Sequence, residues 1–206
     1  MIYLFVFSLF MIFSYGMQEE ENFVRIFLFY FVSLGSTMLA QYGLGVEASF
    51  ISAIWTRPVP IRRILTDKFL FSAALSGIPA LVSIPLCIWF DIPVHLPIAY
   101  ALFSAGIGCQ ISLIDAYNCG PFDLFGKTFF NYQGSKSTFK ASTFIGMTII
   151  LVVAFTFPLL LPDLTASLIL GGLGLLGFAF HRPYFAWVER KFLNNRHKYM
   201  EKYLSK

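Results

Sequence analysis

The chain has 206 residues, a formal net charge of +4, 25 Phe, and a composition that is 57% hydrophobic and 13% charged. A soluble domain is about 45–50% apolar, so this composition excludes an ordinary water-soluble fold and predicts a membrane protein. The cationic residues flank apolar runs and do not form a basic domain. They therefore fit membrane topology and lipid headgroups, and no nucleic-acid partner is predicted.

Apolar runs separated by charged or turn residues predict six transmembrane helices. A helix needs about 20 mostly apolar residues to cross a bilayer, and its backbone groups must bond within the segment, which favours helices over open strands. The fold class is therefore an all-α polytopic membrane protein, with a transmembrane domain over residues 1–180. In chain order, the predicted helices are about residues 1–17, 23–42, 69–90, 96–114, 141–161 and 164–180.

The distribution of Lys and Arg predicts the orientation of these helices. Segments 43–68, 115–140 and 181–206 together hold every Lys and Arg except Arg25. Six alternating helices place these three segments on one side, and the positive-inside rule makes that side cytoplasmic. Both termini are then cytoplasmic, 43–68 and 115–140 are cytoplasmic loops, and 181–206 is a basic cytoplasmic tail.

Two glycine motifs look like nucleotide-binding signatures but depart from them. The stretch CGPFDLFGKT, residues 119–128, has five residues between its glycines where a phosphate-binding loop has four, and Asp123 would repel phosphate. The stretch GLGLLG, residues 172–177, lies in an apolar helix, and basic residues stand where a dinucleotide site needs an acidic one. We therefore expect no cofactor and no metal.

Small and polar residues within the predicted spans indicate contacts between helices. Ser167, Gly171 and Gly174 recur at helical spacing and predict a face on which another membrane helix packs closely. Gln41 and Gln110 lie near membrane depth, where hydrogen bonding between helices is the favoured interpretation.

The connection EASFISAIWTRPVPIRRILTDK, residues 47–68, is the most informative segment. Phe50, Ile54 and Trp55 share one face of a short helix, and Pro58 and Pro60 break that helix before a second, basic half. The segment is predicted to form a bent amphipathic cytoplasmic helix between the second and third spans. Its pattern suits either an anionic lipid surface or a cytoplasmic protein partner, and it leaves both open.

Within this connection, AIWTRPVPIRRILTDKF (residues 53–69) resembles the first cytoplasmic loop of permease subunits of type-2 ABC exporters. The stretch FFNYQGSKSTFKAS (residues 129–142) is similar to a connection in a poorly characterised family of longer bacterial ABC-type permeases. The resemblance covers about residues 42–161, and the chain resembles the C-terminal part of such a permease. A half-permease or a truncated product is therefore expected.

What the resemblance implies is transport without catalysis in this chain. It implies a permease subunit of the bacterial inner membrane that contacts membrane lipids and is driven by a separate cytoplasmic ABC ATPase subunit. The permease would act as a homodimer or paired with another permease half. By this resemblance, the ATPase would contact Phe50, Ile54, Trp55, Arg57, Pro58, Arg62 and Arg63.

Two other functions remain open on the sequence. A membrane-embedded enzyme acting on a lipid at the cytoplasmic interface would use Asp115, Asp123, His181 or Arg182, provided that these side chains converge in one site. A scaffold protein without a substrate would instead form a solid helix bundle. We expect the permease and not an enzyme, because no catalytic group recurs at a fixed spacing.

Overall fold

A computed structural model of the chain describes residues 2–17, 21–42, 60–116, 152–153, 156–157 and 159–194. All elements within these ranges are helical, which confirms the all-α prediction for the described part of the chain. Residues 95–116 form one continuous helical rod, in which a π-helical segment joins two α-helices. The elements are α1 (Ile2–Gly16), α2 (Glu21–Tyr42), α3 (Ile61–Trp89), α4 (His95–Phe103), the π-helical segment (Ser104–Gly108), α5 (Cys109–Ala116) and α6 (Asp163–Asn194).

Three helices among the described residues are long and apolar enough to cross a bilayer: Ile61–Trp89, His95–Leu113 and Asp163–Lys191. A shorter apolar helix covers Val6–Gly16. The long helices also carry large apolar side chains on their outer surfaces, including Leu81 and Leu168, which are both 68% exposed. Extended apolar surface of this kind is uncommon on soluble monomers and suits contact with lipid, so the chain is a membrane protein.

Two helices extend beyond the predicted spans. Helix α3 begins at Ile61, directly after Pro60, whose own backbone is extended, with φ of −65° and ψ of 131°. Residues 61–68, predicted as half of a separate amphipathic element, are thus the first two turns of α3. Helix α6 likewise continues past Phe180 to Asn194, through the predicted boundary of the tail. Most of the predicted span 141–161 lies outside the described residues.

The described helices bury two apolar clusters at opposite ends of the bundle. The first joins α1, α2 and α4 to the later turns of α3 and the early turns of α6, and includes Ile12, Leu28 and Tyr100. The second joins the start of α3 to α5 and the late turns of α6, and includes Leu65, Leu113 and Phe185. Helix α2 contacts α1, α3 and α5, while α4 and the π-helical segment pack closely on α6. Helix α6 therefore reaches both ends of the bundle.

Candidate docking surface and helix-crossing site

The first turn of α3 is an exposed, positively charged helix end that α6 holds in place. Arg62 and Arg63 are both exposed at this turn. The backbone N–H of Arg62 donates to Oε1 of Glu189 on α6 at 3.3 Å. A carboxylate at a helix N-terminus satisfies a backbone donor that lacks a partner within the helix and interacts favourably with the helix dipole. Glu189 thereby joins the start of α3 to the late turns of α6.

An aromatic cluster packs between α3 and α6 next to this contact. The Phe69 ring stacks on the His181 ring at a centroid distance of 5.3 Å and meets the Phe185 ring edge-on at 5.5 Å. Phe69 and Phe185 are almost completely buried. Each aromatic pair of this kind contributes about 0.5–1.5 kcal/mol beyond its buried area. The start of α3 is therefore held against α6 by packing as well as by Glu189.

Both helices at this junction are longer than the hydrocarbon layer is thick. At 1.5 Å per residue, α3 is about 43 Å long and α6 about 48 Å long, whereas the hydrocarbon core of a bilayer is about 30 Å thick. Because Glu189 contacts the start of α3, the start of α3 and the late turns of α6 lie at the same end of the bundle. We call this region, residues 61–68 of α3 and 181–194 of α6, the basic end; its exposed cations are Arg62, Arg63, Arg182, Arg190 and Lys191.

The structure describes only part of the predicted docking set. Arg62 and Arg63 lie together on the exposed first turn of α3. The other predicted residues lie outside the described residues; they are Phe50, Ile54, Trp55, Arg57 and Pro58. Glu189 was not predicted as part of this surface, because a contact between α3 and the late turns of α6 leaves no local signal in the sequence.

A second feature is the close crossing of α6 with the rod formed by α4 and the π-helical segment. A Cβ atom added to Gly106 would lie 2.1 Å from the carbonyl oxygen of Gly174, and one added to Gly174 would lie 2.3 Å from the carbonyl oxygen of Leu102. A Cβ on Gly177 would lie 2.8 Å from the carbonyl carbon of Gly106. The two backbones are thus in direct contact, and only residues without a side chain fit between them.

The predicted small-residue face on α6 overlaps with this crossing at Gly174. At Gly171 an added Cβ would meet only the Leu102 side chain, at 3.8 Å, which is an ordinary contact distance. Ser167 is buried, at 7% exposed. The prediction missed Gly106 and Gly177, which complete the crossing. Gly177 falls three residues after Gly174, so its spacing was readable, whereas the role of Gly106 depends on a contact with a distant helix.

Polar side chains add hydrogen bonds between helices near the crossing. Nε2 of Gln110 donates to the carbonyl oxygen of Gly177 at 2.5 Å, which confirms the predicted bond between helices for Gln110. The side chain of Gln41 lies outside the described residues. The hydroxyl groups of Ser36 on α2 and Ser104 in the π-helical segment are 2.9 Å apart. Helix α2 is therefore joined to the same rod.

An ion pair joins α2 to α6 at the opposite end of the bundle from Glu189. Nη1 and Nη2 of Arg25 lie 3.0 Å and 3.2 Å from Oδ1 and Oδ2 of Asp163, a two-pronged arrangement. The side chains of Arg25 and Asp163 are 16% and 24% exposed. Arg25 also pairs with Glu21 on its own helix at 3.1 Å. Asp163 lies in the first turn of α6, where a negative charge is favoured.

The side chains predicted for a lipid-modifying enzyme are only partly described. His181 stacks in the aromatic cluster, and its Nδ1 contacts the carbonyl oxygen of Phe178. Arg182 is exposed. Asp115 lies on α5, but its side chain and the whole of Asp123 fall outside the described residues. The described residues also contain no group of three or more His, Cys, Asp or Glu that could hold a metal ion.

Comparison with known proteins leaves the geometry as the main guide to function. No curated protein and no solved structure matches the chain. One protein-family model matches it over residues 1–206. The chain belongs to DUF5687, a family of unknown function.

Proposed function

We propose that this chain is the membrane-spanning permease subunit of an ABC-type exporter of the bacterial inner membrane. A separate ATPase subunit docks on the connection 47–68 and supplies the energy. The observation that carries this proposal is the exposed, basic first turn of α3, which is anchored to α6 through Glu189. Since residues 61–68 are continuous with α3, a force applied there moves a membrane helix directly.

The polar content of the described helices supports an external source of energy. Ion-coupled transporters carry chains of ionisable side chains within their spans. The buried polar side chains of the described helices are Ser and Gln, and the Arg25–Asp163 pair lies at one end of the bundle. With no nucleotide-binding motif in the sequence, the work of transport is assigned to a partner.

The proposed architecture has six spans with both termini in the cytoplasm. α1, α2 and the segment 141–161 supply the three spans beyond the three long apolar helices. The basic end is cytoplasmic and the Arg25–Asp163 pair lies at the opposite surface. A permease of this size needs a second half to enclose a pathway, so the active unit is a homodimer or a pair with another permease half.

The proposed topology predicts which positions are accessible from outside the cell. In a Cys119→Ser background, whose described cysteines Cys87 and Cys109 are buried, Glu21→Cys and Asp91→Cys should react with a membrane-impermeant maleimide on intact cells. Arg63→Cys and Lys206→Cys should react only after the membrane is permeabilised. Labelling of the last two on intact cells would contradict the proposed orientation.

Docking is tested by co-purification of the tagged full chain in mild detergent. We expect a soluble ATP-binding subunit to co-purify in a fixed ratio with the native chain. Trp55→Ala combined with Arg57→Glu should reduce its recovery at least tenfold, because the change removes an aromatic anchor and reverses a charge. Membrane insertion should be unchanged.

The matched control combines Trp89→Ala with Lys202→Glu. It also removes one indole ring and reverses one positive charge, but elsewhere in the chain. It should retain the ATPase subunit. Equal recovery with the docking variant and the native chain would remove the coupling role of 47–68. Isolation of the native chain without an ATPase would contradict the permease function itself.

A further inference from the structure

Along one face of α6, an apolar residue is followed by a tryptophan and then by a cation. A bilayer changes in the same order, from hydrocarbon through the interface to charged headgroups. Phe180, Trp187 and Lys191 are seven and four residues apart, so they lie on one helix face. The Phe180 and Trp187 side chains are 62% and 53% exposed. On the opposite side of the helix, Phe185 is buried in the bundle. The face with Phe180 and Trp187 therefore points outward, away from the protein core.

The depth of these residues follows from the length of the helix. If the hydrocarbon core begins at the first turn of α6, its thickness of about 30 Å ends about 20 residues later, near Tyr184. Trp187 then lies about 5 Å beyond the hydrocarbon, within the headgroup layer. Phe180 remains inside the hydrocarbon, where its exposed ring contacts acyl chains.

Two cations occupy the headgroup level next to Trp187. Nζ of Lys191 lies 5.0 Å from the centroid of the Trp187 ring. This contact brings the ammonium group back along the helix to the depth of the indole. Arg190 is exposed and falls three residues after Trp187, so it borders the same face. The carboxylate of the neighbouring Glu189 contacts the start of α3, away from this face.

We propose that Trp187, Arg190 and Lys191 bind the phosphate of an anionic phospholipid in the leaflet at the basic end. The two cations supply charge complementarity to the phosphate, and the indole lies at the interfacial depth that tryptophan prefers. This interaction goes beyond the proposed transport function and does not depend on it. As a consequence of this binding, anionic lipid holds the basic end at a defined depth in the membrane.

The test uses Trp187 as a local reporter of the lipid beside it. The full chain carrying Trp55→Phe and Trp89→Phe, which leaves Trp187 as the single tryptophan, is reconstituted into vesicles. One set contains brominated phosphatidylglycerol diluted in ordinary phosphatidylcholine, and the other contains brominated phosphatidylcholine at the same mole fraction. Each cation near a lipid surface favours an anionic lipid about fivefold. Quenching should therefore report an apparent preference of about fivefold or more for phosphatidylglycerol.

The variant Arg190→Gln/Lys191→Gln should reduce this preference to about one. The control Lys202→Gln/Lys206→Gln removes the same net charge and should retain the preference. An equal loss in the control would show that only the overall positive potential acts, and would overturn the site. Equal quenching by the two lipids in the reporter chain, or no quenching by either, would also overturn it.

Discussion

Gly174→Ala is expected to disrupt the bundle severely, whereas Gly172→Ala, two residues earlier on the same helix, is not. A Cβ on Gly174 would lie 2.3 Å from the Leu102 carbonyl oxygen and 2.7 Å from the Phe103 nitrogen. These are backbone atoms, so no change of rotamer relieves the clash and α6 must move away from α4. Overpacking usually costs about 1–3 kcal/mol, and a clash with the backbone places this variant at or above the upper end.

The corresponding decrease in melting temperature is on the order of 10 °C for a chain of this size. It is measured by reaction of the buried thiols of Cys87 and Cys109 with a fluorogenic maleimide during heating in detergent, in a Cys119→Ser background. Gly172 has no atom within 4 Å of an added Cβ, so its Ala variant should melt within about 2 °C of the parent. Equal melting of the two variants would contradict the crossing.

The second large effect is expected at the Arg25–Asp163 ion pair. Removing one partner of a buried pair costs about 3–5 kcal/mol, because the remaining charge is left without compensation. Both side chains here retain some exposure, 16% and 24%, so we expect about 2–3 kcal/mol for Arg25→Gln. Asp163→Asn should cost less, since Arg25 keeps Glu21 as a partner.

A double-mutant cycle isolates the interaction between the two residues. The double variant Arg25→Gln/Asp163→Asn should be about 1–2 kcal/mol more stable than the sum of the single changes predicts. Glu21→Gln serves as the control, because the Glu21 side chain is 69% exposed and such a pair contributes about 0–1 kcal/mol. Additive single effects, within about 0.5 kcal/mol, would show that the pair does not join α2 to α6.

The sequence predicts helix positions well where the apolar run is about as long as the helix. The predicted second span, 23–42, corresponds to Glu21–Tyr42, and the predicted fourth, 96–114, corresponds to the rod that begins at His95 and ends at Ala116. The prediction began too late for the third span, after Lys68, and ended too early for the sixth, before Arg182. An apolar run in the sequence marks only the part of a helix that crosses the membrane. The helix itself continues as long as one of its faces packs against the protein, as residues 61–68 pack against α6.

The site was predictable only in its local parts. The basic turn containing Arg62 and Arg63 was visible as a charge pattern, and Gln110 as an isolated polar residue at membrane depth. The contacts of Glu189 with α3 and of Asp163 with Arg25 join residues that are distant in the chain. In the sequence, Asp163 falls between two predicted spans and Glu189 falls in the predicted tail. A pattern of single positions carries no information about which helices become neighbours.

The close backbone contact at Gly174 is a pivot about which the two ends of α6 tilt in opposite directions. The Asp163 end of α6 lies about 16 Å from this point and its Glu189 end about 22 Å away. Since the helix is continuous, a tilt of about 10° about Gly174 displaces these ends by roughly 3 Å and 4 Å in opposite directions. Each displacement is enough to separate one polar contact, so the contacts of Glu189 with α3 and of Asp163 with Arg25 respond to the same tilt of α6.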